Sequence, residues 1–456
     1  MQKSDFLVIG SGIAGVTAAL FLAKLGSVAL ISKKKLLSGA TPLAQGGIAM
    51  SFGADADAHF SETLAAGHFQ NKKSAVKKLI AGIPAARDFL ENTLGVRFDP
   101  TLHREGGHST PRVFHLADRT GFFLAQKLSQ KVRENPKIAI FEHHFFVDFL
   151  TENNRVFGAA IFDGKKTKFF FAKKTILATG GAGQIFAATT NPPESTGDGL
   201  AAAMRAGVRV ENFNRFQFHP TALCVGKSPL FLLSEALRGE GAKIIDEKNT
   251  EICDPLLPRD AVCAAIFERK SFLDLRHRRN LFWKKHFPTI FQKLADAGFS
   301  PESDPIPICP AAHFFGGGVA TDLFGKTSAE NLFAVGEVAD TGVHGENRLA
   351  SNSLLEALVF ARAIFDFLKT EKPSPSKILP PFSEKKFFPE TENDAKIRRE
   401  IQKIMTKYFG VVRQKSDFSA VKKLKNLSPI GTETKNLKLV AVARAENLFE
   451  KEKTFL

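Results

Sequence analysis

Cysteine is scarce in this 456-residue sequence. The four cysteines are Cys224, Cys253, Cys263 and Cys309, and none of their spacings is the CxxC of zinc, iron–sulfur or thioredoxin-like sites. We therefore expect reduced, mostly buried thiols and no metal centre.

Long hydrophobic runs are also lacking. The longest apolar stretch, residues 6–23, contains Gly10, Gly12 and Gly15, and such a glycine-rich turn favours strand–turn–helix over a membrane span. No basic segment precedes this stretch and no small-residue cleavage site follows it, so a secretory signal is not indicated. The sequence thus predicts a cytoplasmic protein without membrane contact.

Acidic residues are outnumbered, with 47 Asp and Glu against 63 Lys and Arg, and the formal net charge is +16. Nucleic-acid-binding proteins usually concentrate such charge in one patch, whereas lysine here is spread along the chain and rises only after Lys369. We expect no nucleic-acid partner. Compositional drift or the attraction of an anionic substrate accounts for the charge.

The chain begins with a β-α-β pattern. A strand, a helix and a second strand are predicted over residues 5–10, 13–25 and 27–32. The first turn carries the glycines of GxGxxG, which permit a tight turn, a close approach to a pyrophosphate and tight helix packing. In this strand–turn–helix context the motif predicts a dinucleotide site.

The residues after the motif bear on which dinucleotide binds. NAD-binding folds usually carry an acid about 20 residues after the motif, but residues 31–34 contain none, which counts against NAD and leaves FAD open. Glu337, after a strand predicted at 332–335, is either that acid or a solvated loop residue. Ser353 and Glu356 have the S-x-x-E spacing of a helix N-terminus, which either faces a reduced flavin or simply begins a helix.

The later chain shows further divisions. The segment 214–315, rich in turns and single helices, separates a strand predicted at 174–179 from the strand near 332 and is predicted to be an inserted domain with a ligand cleft at its junction. Residues 371–393 are rich in Pro and Lys and predict a linker. A helical appendage follows, since one helix face collects Ile397, Ile401, Ile404 and Met405.

Seven collinear motifs carry a resemblance to a known family. They are AQGGI at 44–48, REGGHS at 104–109, TGDG at 196–199, FHPT at 218–221, RGEGA at 238–242, PRD at 258–260, and the run from GEV to NRLASNSLLE at 336–356. With them the chain resembles the L-aspartate oxidases of the succinate dehydrogenase and fumarate reductase flavoprotein superfamily.

The resemblance implies an α/β fold: a Rossmann-like FAD-binding domain with an inserted α+β capping domain and a short C-terminal helical domain. We place the FAD-binding domain at 1–213 and 314–370, the capping domain at 214–313 and the helical domain at 380–456. The superfamily members that attach FAD covalently use a histidine at the position of Ala40, so noncovalent FAD is expected here.

Carried over by motif, the FAD contacts are Ser11, Gly12, Ile13, Ala14, Gly15, Lys33, Ala40, Thr41, Ala44, Gln45, Gly46, Gly47, Asp198, Glu337, Ser353 and Leu354. The substrate contacts implied are His219, His313, Arg348, Ser234 and Glu235, and the catalytic residues are Arg259 and Glu105.

Physical arguments support several of these residues. Arg348 offers a planar fork for a carboxylate, and Arg259 is a cation at the positive end of a predicted helix, where function is expected to break the local rule. The family role of Arg259 is a proton shuttle; a plain salt bridge is the alternative. Glu105 would be awkward beside succinate but suits the ammonium of an amino acid.

The resemblance implies oxidation of L-aspartate to iminoaspartate by hydride transfer to flavin N5, with oxygen or fumarate as electron acceptor. This is the first step of NAD biosynthesis through quinolinate, and quinolinate synthase is a candidate partner. A soluble fumarate reductase or succinate oxidase is the alternative, and a flavin-binding protein without turnover is a third. Three departures from the family pattern bear on the site: Ser234 for Thr, Phe314-Phe315 for a Tyr-containing pair, and Glu346 for Ala beside Asn347.

Overall fold

The computed structural model describes residues 2–371, 380–411 and 418–453. The strands in these residues are β1 (Gln2–Ile9), β2 (Val28–Ile31), β3 (Ile48–Ala49), β4 (Val113–Phe114), β5 (Ile138–Phe141), β6 (Phe145–Glu152), β7 (Arg155–Phe162), β8 (Thr167–Leu177), β9 (Val210–Glu211), β10 (Phe216–Leu223), β11 (Lys243–Ile245), β12 (Glu251–Cys253), β13 (Ser271–Asp274), β14 (Ile306–Phe315), β15 (Gly318–Ala320), β16 (Leu332–Ala334) and β17 (Ala339–Asp340).

The α-helices in the same residues are α1 (Ile13–Leu22), α2 (Asp55–Ala66), α3 (Lys73–Ala81), α4 (Ile83–Asp88), α5 (Thr120–Arg133), α6 (Asp198–Arg205), α7 (Ala236–Gly239), α8 (Arg259–Ile266), α9 (Asn280–His286), α10 (Pro288–Asp296), α11 (Asn352–Thr370), α12 (Glu392–Phe409), α13 (Phe418–Asn426) and α14 (Thr432–Lys453).

A seven-stranded sheet forms the centre of the fold. Its order is β5-β2-β1-β8-β7-β6, with β16 paired to β8. The strands β5, β2, β1, β8 and β16 run parallel, and β7 pairs antiparallel with both β8 and β6. The predicted β-α-β unit is confirmed, although α1 ends at Leu22 rather than at Leu25. The carboxyl ends of β1, β2, β8 and β16 meet at one edge, where ligands of such sheets bind.

A second sheet lies in the inserted segment, and here the sequence reading was incomplete. The segment read as turns and single helices contains a five-stranded antiparallel sheet of order β10-β14-β13-β11-β12. Pro220, Pro307 and Pro310 interrupt the strand pattern of β10 and β14, because proline cannot donate to a ladder. The pairing of β10 with β14 accommodates them by register shifts around Gln217 and His219.

The C-terminal helices α12, α13 and α14 pack against α6 and the central sheet. Ile401, Ile404 and Met405 of α12 are buried in one cluster with residues of β1 and α6, and Ile397 packs against its edge, as the amphipathic pattern predicted. The predicted linker falls partly on residues 372–379, which lie outside the described residues; 380–391 has no regular secondary structure.

The cysteines correct another expectation. All four are free, but only Cys263 is buried: Cys253 and Cys309 are half-buried and Cys224 is exposed. Within the described residues, no group of three or more His, Cys, Asp or Glu side chains is arranged to hold a metal ion. Among the helices of the described ranges, none has the length and hydropathy that crossing a membrane requires.

Candidate active site

The turn between β1 and α1 requires glycines because its backbone packs too closely on neighbouring backbone to leave space for side chains. Gly10 has φ of +110°, and a Cβ there would lie 2.1 Å from the Ala178 carbonyl oxygen. A Cβ at Gly15 would lie 2.0 Å from the carbonyl oxygen of Gly10. Helix α1 starts directly after the turn, so its partial positive charge and free N–H groups suit a pyrophosphate.

The second strand of this unit ends at a lysine rather than an acid. Lys33 follows β2. Its ammonium donates at 2.8 Å to Oδ2 of Asp198, which is the first residue of α6. A carboxylate from another element therefore reaches the strand end at which dinucleotide folds place their ribose-binding acid.

The loop 40–47 closes over the same turn. Thr41 Oγ1 accepts from Ile13 N–H at 2.9 Å, and Gln45 Nε2 donates to the Leu232 carbonyl oxygen at 2.7 Å, linking the loop to the inserted segment. Gln45 Oε1 is buried and has no hydrogen-bond partner in the described part of the chain. Buried acceptors normally have partners, and a flavin ring, whose edge carries N–H and C=O groups, fits this one.

Glu337 is half-buried in the turn that follows β16, close to the residues after β8. Its Oε1 accepts from the Phe315 N–H at 2.9 Å and sits beside Gly181, where a Cβ would approach it to 2.3 Å. Burial raises the pKa of Glu337 to about 7. Its contact with the cofactor stays a prediction.

The start of α11 contradicts the predicted capping box. The helix begins at Asn352, so Ser353 and Glu356 lie inside it and do not cap it. Glu356 is buried and accepts from Thr341 Oγ1 at 2.5 Å, and its Oε2 lies 2.9 Å from His344 Nε2. The S-x-x-E spacing misled because residues three apart are also neighbours within a helix.

Two guanidinium groups meet where the inserted segment faces the central sheet. Arg259 is the first residue of α8, and Arg348 lies before α11, over the Phe314 ring at 4.5 Å. Their exposures are only 6% and 5%. Desolvation, followed by repulsion from Arg259, lowers the pKa of Arg348 to about 9. Buried charges need counter-charges, so an anionic ligand beside these two cations would be stabilised.

Glu235 explains how a cation is tolerated at the start of α8. Burial opposes its ionisation, but Arg238 and Arg259 hold the pKa of Glu235 well below its usual range. Arg259 Nε and Arg238 NH2 each lie 2.5 Å from a Glu235 oxygen. Glu235 is therefore the counter-charge of both arginines. The neighbouring Ser234 Oγ accepts from the Ala236 N–H at 3.3 Å.

His219 and His313 lie on neighbouring strands with ring centroids 5.0 Å apart. The Thr221 N–H donates to His219 Nδ1 at 3.3 Å, which places the proton of the neutral ring on Nε2. Burial lowers the pKa of His219 to about 3 and the pKa of His313 well below its usual range. Each ring is therefore neutral at pH 7 and carries one N–H.

Glu105 is buried in the loop before β4 and accepts from Ser351 Oγ at 2.6 Å. Burial and then the charge of Glu235 raise the pKa of Glu105, whereas Arg259 and Arg348 act in the opposite direction. The structure thus brings together Glu105 and both arginines, which lie more than 80 residues apart in the chain.

Gln217 is a site residue that the sequence analysis missed. Its Oε1 accepts from Arg259 NH1 at 2.9 Å, and its Nε2 donates to Asn347 Oδ1 at 2.6 Å and to the Arg348 carbonyl oxygen at 2.8 Å. Gln217 precedes His219 by two residues on β10, and side chains two apart on a strand share a face. That alternation was the signal available in the sequence.

The family departures have separate effects. Phe314 packs against Arg348 and is edge-on to His344, so the ring that lost its hydroxyl supports the arginine. Glu346 accepts from Asn214 Nδ2 at 2.9 Å and lies 3.6 Å from Arg215 Nε, so these two residues stabilise its carboxylate.

This chain is similar to known flavoproteins in both sequence and fold. Residues 5–354 match the family model described as FAD binding domain. Among solved structures, the E. coli quinol fumarate reductase FrdA is similar with a TM-score of 0.84 and 27% identity, covering 98% of this chain and 88% of that one. Mycobacterium smegmatis Sdh1 is similar with a TM-score of 0.80 and 26% identity, covering 98% and 87%. The predicted fold class is confirmed, and FAD is the cofactor.

Curated relatives are closer in sequence. L-aspartate oxidase 1 of Ralstonia nicotianae is 40% identical over 448 residues, which cover 90% of this chain and 83% of that protein. L-aspartate oxidase of Vibrio cholerae is 38% identical over 454 residues, covering 90% and 84%. The chain therefore belongs to the L-aspartate oxidase family of FAD-dependent oxidoreductases.

Proposed function

We propose that this enzyme oxidises L-aspartate to iminoaspartate and that the cluster of Arg259, Arg348, His219, His313 and Glu105 binds the substrate. The observation that carries the proposal is the pair of buried guanidiniums, which repel each other and have a carboxylate, Glu105, beside them. This charge pattern complements a four-carbon diacid that also bears an ammonium group.

The two substrate carboxylates have different partners in this proposal. Arg348 Nε is buried without a hydrogen-bond partner in the described residues, which leaves part of its fork for one carboxylate. The neutral rings of His219 and His313 donate to the other without placing another cation beside the arginines. Glu105 in its ionised form holds the α-ammonium.

Arg259 is proposed to relay the proton that the α-ammonium must lose before Cα–H cleavage: its Nε–H proton passes to the Glu235 carboxylate as the guanidinium takes up the proton of the ammonium. Glu235 and Gln217 hold two sides of its guanidinium, so its position is fixed against the substrate. Glu235 also pairs with Arg238, so Arg259, Glu235 and Arg238 form one ion-pair network that leads away from the site.

When bound, FAD would supply the two-electron oxidation, with oxygen or fumarate as the electron acceptor. The β1–α1 turn, loop 40–47, Lys33 and Asp198 are proposed to hold it. We further propose a cytoplasmic location and delivery of iminoaspartate to quinolinate synthase.

Anaerobic reduction of the flavin tests the function. L-aspartate is expected to bleach the visible flavin absorbance of the FAD-loaded enzyme, whereas succinate and L-glutamate are expected to leave it unchanged over the same time. Bleaching by succinate and not by aspartate would replace the proposal with the soluble fumarate reductase or succinate oxidase.

The flavin is predicted to be untethered because Ala40 cannot form a covalent link. Acid precipitation of the FAD-loaded enzyme is expected to release all of the flavin into the supernatant, where its fluorescence measures it. Flavin that stays with the washed pellet after denaturation would show a covalent bond and contradict this prediction.

A further inference from the structure

Helix α14 of the C-terminal region reaches the end of β2. Asn436, 1% exposed, donates from Nδ2 to Asp198 Oδ1 at 2.8 Å. Arg205 NH1 donates to Asn436 Oδ1 at 2.8 Å. Because arginine only donates, the amide oxygen of Asn436 must face Arg205 and its NH2 group must face Asp198. The orientation of this amide is therefore fixed from both sides.

The bonds to Asp198 leave one acceptor position open. Its Oδ2 accepts from Lys33 Nζ at 2.8 Å and from Thr196 Oγ1 at 2.7 Å, whereas Oδ1 accepts from Asn436. A carboxylate oxygen accepts about two hydrogen bonds, so the second lone pair of Oδ1 remains for a ligand hydroxyl. Asn436 thus helps to set the direction in which that lone pair points.

Lys33 is held from the same helix. Its Nζ lies 2.9 Å from Glu433 Oε1, in addition to Asp198, Thr196 Oγ1 at 2.9 Å and the Glu194 carbonyl oxygen at 3.3 Å. Four acceptors surround the three N–H groups of the ammonium. Glu433 is the acceptor that belongs to the C-terminal helices, so α14 holds both members of the Lys33–Asp198 pair.

We propose that α14 forms part of the FAD site: Asn436 and Glu433 orient Asp198 and Lys33 to receive the adenosine ribose. This inference rests on the proposed contact of Asp198 and Lys33 with FAD. Coupling between two sites is reciprocal, so a helix that favours FAD binding is itself held more firmly when FAD is bound. FAD binding and docking of the C-terminal helices are therefore linked.

The test measures FAD affinity, which is independent of turnover. Full-length apoprotein is titrated with FAD, and flavin fluorescence gives Kd. Asn436→Leu keeps the branching at Cγ and removes the donor to Asp198, so Kd is expected to rise about tenfold. Glu433→Gln removes the charge beside Lys33 and is expected to raise Kd severalfold. Glu446→Gln, on the same helix but paired with Lys425 at 2.5 Å, is the control and is expected to match the wild type.

A further variant separates positioning from simple loss of packing. Asn436→Asp keeps a partner for Arg205 but places a carboxylate against Asp198, with Lys33 and Glu433 as the other charged neighbours. Two carboxylates in contact share a proton as the pH falls, which restores a hydrogen bond. The Kd of this variant is expected to approach that of the wild type at lower pH, whereas the Asn436→Leu defect is expected to persist.

The coupling also has a structural readout. Saturating FAD is expected to slow proteolytic cleavage in the C-terminal helices of the wild type and to protect Asn436→Leu less. FAD affinities of folded Asn436→Leu and Glu433→Gln within twofold of the wild type would overturn the inference. Failure of aspartate to bleach the wild-type flavin would instead overturn the proposed function, and FAD affinity would not register it.

Discussion

Replacing Arg259 by lysine is expected to lower kcat for L-aspartate by about 10²- to 10⁴-fold, the usual contribution of a positioned proton-transfer group. Lysine keeps the charge but offers one ammonium in place of a planar fork, and the fork contacts Glu235 and Gln217 together. Affinity for FAD is expected to stay near the wild-type value, because α8 packs on β10 of the inserted sheet. Steady-state kinetics and FAD titration measure the two effects.

Arg276→Lys is the matched control. Arg276 follows β13 of the inserted sheet and pairs with Asp274 at 2.9 Å, and its side chain is 37% exposed. Its kcat is expected to equal that of the wild type. If Arg259→Lys turned over at a rate near that of this control, Arg259 would be an ordinary salt-bridge residue and the proton shuttle would have to be sought elsewhere.

Local rules explain what the sequence predicted correctly. The β1–α1–β2 unit depends on glycines and strand residues within one short segment, so the motif alone identified it. The buried face of α12 also follows from local periodicity. The strands β10 and β14 were not predicted because their prolines interrupt the sequence pattern of a strand. Pairing with each other, with register shifts, forms them in the fold.

Long-range partners explain the rest. The arginine at the start of α8 looked like a broken rule, and only the fold supplies Glu235 to neutralise it. The segment after β2 contains no acid to bind a ribose, and Asp198 of α6 places a carboxylate there in the fold. Glu433 then reaches the same lysine from 400 positions further along the chain, a contact that no local pattern contains. Motifs identified the residue types, whereas the partners that set their charge state are tertiary.

Glu105→Gln is expected to lower kcat/KM for L-aspartate by about 10²-fold or more, because it removes a buried partner of the α-ammonium. Glutamine is nearly the same size and can still accept from Ser351. The effect therefore reports charge and not packing. Succinate lacks the ammonium, so its inhibition constant is expected to improve or stay within a few fold, which makes succinate the internal control.

The pH dependence of this variant gives a second, sharper test. The folded state raises the pKa of Glu105 above its ordinary value, and only the carboxylate binds an ammonium. In the wild type, kcat/KM for aspartate is expected to fall as the pH drops through that raised pKa. This acidic limb is expected to disappear in Glu105→Gln. A limb that persists in the variant would belong to another group; Glu337, whose pKa is raised to about 7, is one candidate. Glu105 would then not be the group that selects an amino acid over a plain diacid.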